Sequence, residues 1–267
     1  MANKINIGNI NIGSVKLGTA DVSLYLGDTL IYPLSLKFKA TYIDNLKRSL
    51  NCDDNPVLTS GDTDGSGSYT ESNMLTAEIE ECITSISGYA FTLCSSLSSV
   101  TIPNTVTSIG TAAFADCKNL TGVTIPDSVT SIGIIAFDTC SGMTSVTFGS
   151  GLTTIGDESF KKCHGLTSID IPDNVTTINS GAFRYSSGLT SVTIGSGITN
   201  IKSSAFRDCT AMTSITVNAT TPPTLGSYAF DNTNDCPIYV PSESVEAYKS
   251  ASGWSNYASR IQAIPNS

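Results

Sequence analysis

The sequence predicts an α/β repeat solenoid in which short strands and short helical turns recur in units of 23 residues. Two observations carry that prediction. Phe91, Phe114, Phe137, Phe160, Phe183 and Phe206 are each 23 residues apart, and Phe230 follows after 24. Around each Phe the same frame of small and apolar residues returns, as expected of units that cannot bury their apolar positions alone and must stack. A third observation is compositional. Charged residues make up 14 % of the 267-residue chain, and Ser, Thr and Gly fill the gap. Low charge with ample apolar content argues for an ordered chain that turns often.

Each part of the unit has its own reason. A small residue precedes the Phe (Ala90, Ala113, Ala136, Ser159, Ala182, Ala205), and this segment, free of β-branched runs, predicts a short helical turn. Three residues after the Phe come Cys94, Cys117, Cys140 and Cys163, then Ser186, then Cys209. Six residues after it stands Leu97, Leu120, Met143, Leu166, Leu189 or Met212. An alternating strand follows, as in Val123-Thr124-Ile125 and Val192-Thr193-Ile194. Its period of two sends Val100 and Ile102 inward and Ser99 and Thr101 outward. Pro103, Pro126 and Pro172, with Gly149 and Gly195 in the equivalent slots, then break the chain. A second alternating stretch, as in Val106-Thr107-Ser108-Ile109-Gly110, closes the unit. Stacking turns these positions into a Phe ladder, a Leu/Met ladder, a Val/Ile ladder, and an Ile ladder from Ile86 through Ile201.

The ends must differ, because a terminal unit has one face without a neighbour. Residues 74–236 read as the solenoid and residues 237–267 as a C-terminal cap. Residues 34–73 read as an N-terminal cap, with a strand-like stretch at 34–42, Cys52, and a turn-rich run at 59–73. Met74, Ile79, Ile83 and Ile86 fall on the ladders one period early, so stacking begins there without its own Phe. Residues 1–33 form a small β module of Gly-separated alternating segments, beginning Ile5-Asn6-Ile7 and Ile10-Asn11-Ile12. The first residues contain no apolar core of an export signal and no cleavage site, which predicts that no standard signal exports the chain. No run approaches the length of a membrane span.

The unit Ala-Phe-x-x-Cys-x-x-Leu-Thr-Ser-Val-Thr-Ile-Pro-x-x-Val-Thr-Ser-Ile-Gly resembles the BspA-type leucine-rich repeat of bacterial surface proteins. The resemblance covers roughly residues 74–236. The tail, with Ile238-Tyr239-Val240-Pro241, Val245-Glu246-Ala247-Tyr248-Lys249 and Gly253-Trp254, resembles the C-terminal cap of such arrays. The resemblance implies an adhesin-like role, binding host proteins, other cells or surface polymers, and it brings no catalytic motif. Residues 16–33 are similar to short β modules near the start of phage virion proteins. The shared residues are Lys16-x-Gly18, Val22, Tyr25-x-Gly27-Asp28 and Tyr32-Pro33. That likeness implies a phage structural or host-recognition protein, such as a fibre component, that contacts other virion proteins through residues 1–33 and assembles in the host cytoplasm. The alternative is a bacterial cell-surface or secreted adhesin.

Candidate chemistry is sparse. Stacked Cys point the same way, which suits neither a disulfide dihedral nor converging metal ligands, so the column is expected to pack as small buried hydrophobes. Cys52 and Cys82 both fall near the N-terminal cap and could be bonded. Residues 62–73 superficially resemble a calcium loop, but Asn73 stands where a bidentate Glu is needed. His164 occupies a position filled elsewhere by Ser95, Lys118, Ser141, Ser187 and Thr210, which marks a solvent-facing site and not a poised base. No nucleophile sits beside a base, and no two carboxylates pair for glycoside hydrolysis. No enzyme activity, metal or cofactor is expected. The net charge of −9 argues against nucleic acid.

The outward rows are the candidate surface. Thr101, Thr124, Thr147, Asp170, Thr193 and Thr216 form one row, beside Ser99, Gly122, Ser145, Ser168, Ser191 and Ser214. Such a face could hydrogen-bond a protein or glycan on a cell surface, or it could simply be exposed strand. Arg184, Tyr185 and Arg207 are the candidate hot spot, because Arg and aromatic residues anchor interfaces. Self-association stays open.

Overall fold

The computed structural model describes residues 74–79, 81 and 83–265, and within residues 1–73 the backbone of seven short strands. The repeats wind as a parallel β-solenoid with three walls. The first is an eight-stranded parallel sheet of two-residue strands, running from Val57–Leu58 through Ser85–Ile86 and its successors to Thr224–Leu225. Each rung pairs with the next in register, as Ser108 with Ser131 and Ile109 with Ile132. The sheet therefore begins in Val57–Leu58, inside the segment that the pattern assigns to the cap.

The second wall carries the longer strands. Met74–Ile79, Ser99–Thr101, Gly122–Ile125, Ser145–Phe148, Ser168–Ile171, Ser191–Ile194, Ser214–Val217, Ile238–Val240 and Ile261–Ala263 follow one another along it. Its hydrogen-bonded ladder is interrupted twice, between Ser99–Thr101 and Gly122–Ile125 and between Ser145–Phe148 and Ser168–Ile171. Burial alternates as period two requires; in Ser168–Ile171, Ile169 and Ile171 are buried while Ser168 and Asp170 are exposed.

The third wall, around each Phe, sharpens the expected helical turn. It contains little helix. In every unit the residues two before and two after the Phe have positive φ, as at Tyr89 and Leu93 (64° and 62°), Ala112 and Asp116 (53° and 61°), and Tyr228 and Asn232 (61° and 54°). This alternation aims some amides within the unit, as Cys94 N–H to the Phe91 carbonyl, and others across to the next unit. Tyr89 N–H bonds the Thr111 carbonyl at 2.8 Å, Phe91 N–H that of Ala113 at 2.7 Å, and Leu93 N–H that of Ala115 at 2.8 Å. Backbone groups that a helix would satisfy internally are satisfied between rungs.

The core between the walls is the set of ladders. Phe91, Phe114, Phe137, Phe160, Phe183, Phe206 and Phe230 stack ring on ring, with successive centroids 4.9–5.7 Å apart and planes within 14°. All seven are fully buried, each contributing roughly 1.5–3 kcal/mol by leaving water. Phe148 replaces an aliphatic rung and meets Phe160 edge to face at 5.6 Å.

The C-terminal cap closes the core. Trp254 extends the ring stack, 5.7 Å from Phe230, and its indole donates to the Pro223 carbonyl at 2.7 Å. Tyr248, on the helix Val245–Ser250, donates to the Ala219 carbonyl at 2.8 Å. At the other end, Leu36–Tyr42 pairs antiparallel with both Lys47–Asn51 and Met74–Ile79. Residues 1–33 contain two hairpins, Asn6–Ile7 with Ile10–Asn11 and Ser23–Leu26 with Thr29–Pro33. Cys52, Cys82 and the loop at residues 62–73 lie outside the described residues.

Candidate functional site

The predicted polar row exists as a physical column on the long-strand wall. Thr101 stands beside Glu78, Thr124 beside Thr147, and Asp170 beside Thr193 and then Thr216. The column runs on into the cap through Tyr239 and Gln262. Thr101, Thr124, Thr147 and Asp170 are exposed, and Thr193 and Thr216 are half-buried. The two interruptions of the ladder open shallow hollows on this face. One of about 390 Å³ is lined by residues including Thr101, Gly122, Thr124 and Thr147. The other, about 330 Å³, is lined by residues including Thr147, Asp170 and Pro172. Gly122 shapes the first: a Cβ there would lie 2.7 Å from the Ser145 hydroxyl.

Not all the threonines are alike, a distinction the sequence conceals. Thr121, Thr144, Thr190 and Thr213 each donate their hydroxyl to the carbonyl one rung back, at 2.8–3.1 Å. Thr107, Thr153, Thr176 and Thr199 do the same on the edge of the two-residue-strand wall, at 3.0–3.3 Å. These hydroxyls are spent on the solenoid itself. Those of Thr101, Thr124, Thr147, Thr193 and Thr216 bond no other described residue and face outward.

Arg184, Tyr185 and Arg207 lie elsewhere, on the turn wall. The Arg184 guanidinium sits 4.4 Å from the Tyr185 ring centroid and donates to its hydroxyl at 2.6 Å. Asp208 Oδ2 lies between the two guanidiniums, 4.0 Å from Arg184 Nε and 3.5 Å from Arg207 Nε. Arg207 in turn lies 5.3 Å from the Tyr228 ring centroid. One rung back, Lys161 pairs with Glu158 at 2.6 Å, and Lys162 is exposed. Burial raises the Asp138 carboxyl on this wall, against the pull of the Lys161 and Lys162 charges. The named binding residues thus divide between two walls. The sequence pattern also contains Tyr89 and Tyr228, the most exposed aromatics described; their signal is an aromatic residue two before the Phe, a slot filled elsewhere by Ala112, Ile135, Glu158, Gly181 and Ser204.

The cysteine column is buried, as expected, but it also works as a hydrogen-bond column. Cys117, Cys140, Cys163 and Cys209 each direct Sγ at the carbonyl of the preceding rung's Phe, at 3.1–3.3 Å. Ser186 makes the same bond to Phe160 at 3.0 Å, which explains why Ser substitutes without disturbing the frame. Cys117, Cys140, Cys163, Cys209 and Cys236 carry free thiols. Burial pushes Cys209 up to about 12 and drives Cys117 and Cys163 well above the ordinary thiol range, so thiolate chemistry is suppressed. His164 is exposed and hydrogen-bonds the Ser187 hydroxyl at 3.0 Å. Among the described residues no group of His, Cys, Asp or Glu is placed to hold a metal ion, and no helix is long and apolar enough to cross a membrane.

The architecture is shared with solved proteins. A leucine-rich repeat protein of T. pallidum aligns at 25 % identity with a TM-score of 0.57, over 64 % of this chain and 80 % of that one. A leucine-rich repeat protein of Eubacterium ventriosum aligns at 22 % identity with a TM-score of 0.55, over 73 % of this chain and 50 % of that one. No curated protein matches the sequence. The sequence signature described as BspA type leucine rich repeat region, in six copies, matches residues 65–190 and 176–258. Those spans hold every Phe rung, the Cys column and the start of the cap, so the chain belongs to the BspA-type leucine-rich repeat family.

Proposed function

We propose that this chain is a non-enzymatic recognition module whose long-strand wall presents the Thr101–Gln262 column to a protein or glycan on a cell surface. One observation carries the reading. Two columns of Thr hydroxyls are consumed by the solenoid, whereas those of the central column bond no other described residue and stand in register within each segment of the ladder. β-branched side chains on a rigid sheet lose little entropy on docking, which favours a stiff polar face as a binding surface. The hollows beside Gly122 and Asp170 would receive protruding groups of the partner.

Residues 1–33 are the mounting element in this reading. Their likeness to phage virion modules, carried by Lys16, Tyr25, Gly27, Asp28 and Tyr32-Pro33, favours a fibre or host-recognition component of a virion. The repeats themselves resemble those of bacterial surface proteins and favour a cell-surface adhesin. An antibody against the full chain separates the two by labelling particles or cell surfaces.

The face is tested by Thr124→Arg with Thr147→Arg, which place two bulky charges on the column. Wild-type chain is applied to a glycan array and to intact host and bacterial cells. The expected outcome is binding that weakens about tenfold or more in the double variant, with an unchanged melting temperature. Equal binding by the folded double variant would exclude this face.

A further inference from the structure

We propose that the turn wall around Arg184 and Arg207 is a second, independent binding site, for a carboxylate-bearing polysaccharide. It lies on a different wall from the threonine column and does not rest on the function proposed for that column. Four of the eight lysines and arginines in the described residues gather here, Lys161, Lys162, Arg184 and Arg207, in a chain of net charge −9. Lys161, Arg184 and Arg207 occupy the same slot, one after the Phe, on three consecutive rungs. The step between those rungs is set by the Phe stack, 5.4 Å and then 5.1 Å between ring centroids. The cations therefore form a line along the solenoid axis.

Their hydrogen-bonding capacity is largely unused. The Arg184 and Arg207 side chains are 28 % and 36 % exposed; among the described residues Arg184 makes one hydrogen bond, to the Tyr185 hydroxyl, and Arg207 makes none. Asp208 neutralises part of the charge from 3.5–4.0 Å, too far to accept a strong hydrogen bond. Lys162 makes no ion pair with a described residue. The exposed guanidinium donors are open to an external acceptor, and their planar geometry is matched to carboxylates. The wall already accepts carboxylates of its own at both ends of the line, Asp208 between the arginines and Glu158 on Lys161.

The polysaccharide assignment comes from shape. Tyr228 is 58 % exposed, with Arg207 near its ring, and offers an aromatic platform for the C–H face of a sugar. Gly181 takes the slot two before the Phe that Glu158 and Tyr228 fill on other rungs, so the wall steps inward beside Arg184. An extended acidic peptide presents same-face side chains about every 6.6–6.8 Å, and drifts out of step with the cation line over three rungs. A uronate chain carries a carboxylate on each sugar for the cations and an apolar ring face for Tyr228, and so answers both features of the wall. The negative net charge suppresses indiscriminate capture of polyanions at range, and leaves the local patch to act within a Debye length.

The test is titration of the full chain with polygalacturonate, neutral dextran, dextran sulfate and poly-L-glutamate, at low and physiological ionic strength. Polygalacturonate is expected to bind, more weakly as salt rises, with dextran showing no binding and dextran sulfate and poly-L-glutamate binding more weakly. Arg184→Gln with Arg207→Gln should weaken polygalacturonate binding about tenfold or more. Arg184→Lys with Arg207→Lys, which keeps charge and loses the fork, should fall between that variant and wild type. Tyr228→Ala should weaken polygalacturonate without altering poly-L-glutamate. The threonine-column variant should bind as wild type does, which separates failure of this site from failure of the other. The proposal is overturned by absent polygalacturonate binding, by undiminished binding in the folded Gln variant, or by equal or tighter binding of dextran sulfate or poly-L-glutamate.

Discussion

Ser186 breaks the run of cysteines and reveals what the column does. Its hydroxyl bonds the Phe160 carbonyl as Cys209 bonds that of Phe183. Ser186→Cys should therefore leave stability nearly unchanged, whereas Ser186→Ala should lower it by about 1–3 kcal/mol, because a buried acceptor loses its donor. Urea unfolding of the two variants measures the difference, and equal stability would reduce the column to packing alone. Burial at this position was legible in the sequence as a small residue at a fixed phase. The hydrogen bond was not, because its acceptor is a backbone carbonyl 26 residues earlier on another rung. Asp127 and Asp173 form a second set of inter-rung contacts, accepting from the Ser150 and Ser196 amides at 2.7 and 2.6 Å. Those bonds hold both carboxyls below the ordinary carboxylate range. A carboxyl with a lowered folded value contributes stability above its unfolded value and loses that contribution as pH falls through the folded one. Unfolding midpoints should thus decline below about pH 4, and Asp173→Asn should flatten part of that decline. An unaltered acid limb in the variant would count against the contact.

The turn wall is the element whose conformation the sequence disguises most. Positive φ is ordinarily left to Gly or Asn, yet Ile135 (49°), Lys162 (56°) and Tyr185 (63°) all adopt it. Of the slots two before and two after each Phe, Gly181 and Asn232 are the two positions that supply a residue the conformation favours. Inter-rung hydrogen bonds at every such position from Tyr89 through Asp208, together with the buried Phe between them, impose the geometry, so composition gives no warning of it. The strain is measurable at adjacent residues. Ile135→Gly should stabilise the protein by about 1 kcal/mol, by relieving a β-branched residue in the left-handed region. Ile134→Gly, one residue earlier and without positive φ, should destabilise it by about 0.5–1 kcal/mol through the flexibility that Gly gives the unfolded chain. Thermal melting of the two variants checks the opposite signs. By contrast, the strand walls were legible to within a residue or two, because alternation in Val-Thr-Ile is sufficient to orient them. The pattern did not distinguish the threonines that bond the previous rung from those that face outward.

At the scale of the whole molecule, the solenoid is a one-dimensional stack, so its ends control its stability. Trp254 is the terminal plate of the aromatic column, and Trp254→Ala should cost about 3–5 kcal/mol. The loss should be uneven along the axis. Hydrogen exchange followed by mass spectrometry should show amides of the Phe230 rung deprotected first and those near Phe91 last. Uniform deprotection would mean that the stack melts as one unit. The 23-residue period and the change of pattern in the tail were readable, because the segment holding Tyr248 and Trp254 carries no copy of the small-Phe-x-x-Cys frame. The division of the proposed binding residues between two walls was not, since Thr193 and Arg184 are near neighbours in sequence and part only when the chain closes its triangle.

The inter-rung bonds of the turn wall also give the molecule a polarity. From Tyr89 donating to Thr111 through Asp208 donating to Asp231, every such amide points toward the carboxyl-terminal end and every accepting carbonyl points back. The wall is thus a one-way template: its leading edge offers donors, its trailing edge acceptors, and a further rung could be added in one orientation alone. At the leading edge the Phe230 amide meets a side chain in place of another rung, donating to the Tyr257 hydroxyl at 3.4 Å, and that hydroxyl donates in turn to the Asp231 carboxylate at 2.8 Å. A tyrosine thereby acts as the terminator of the series, taking up a donor that would otherwise be free to recruit the next strand of any chain that offered one.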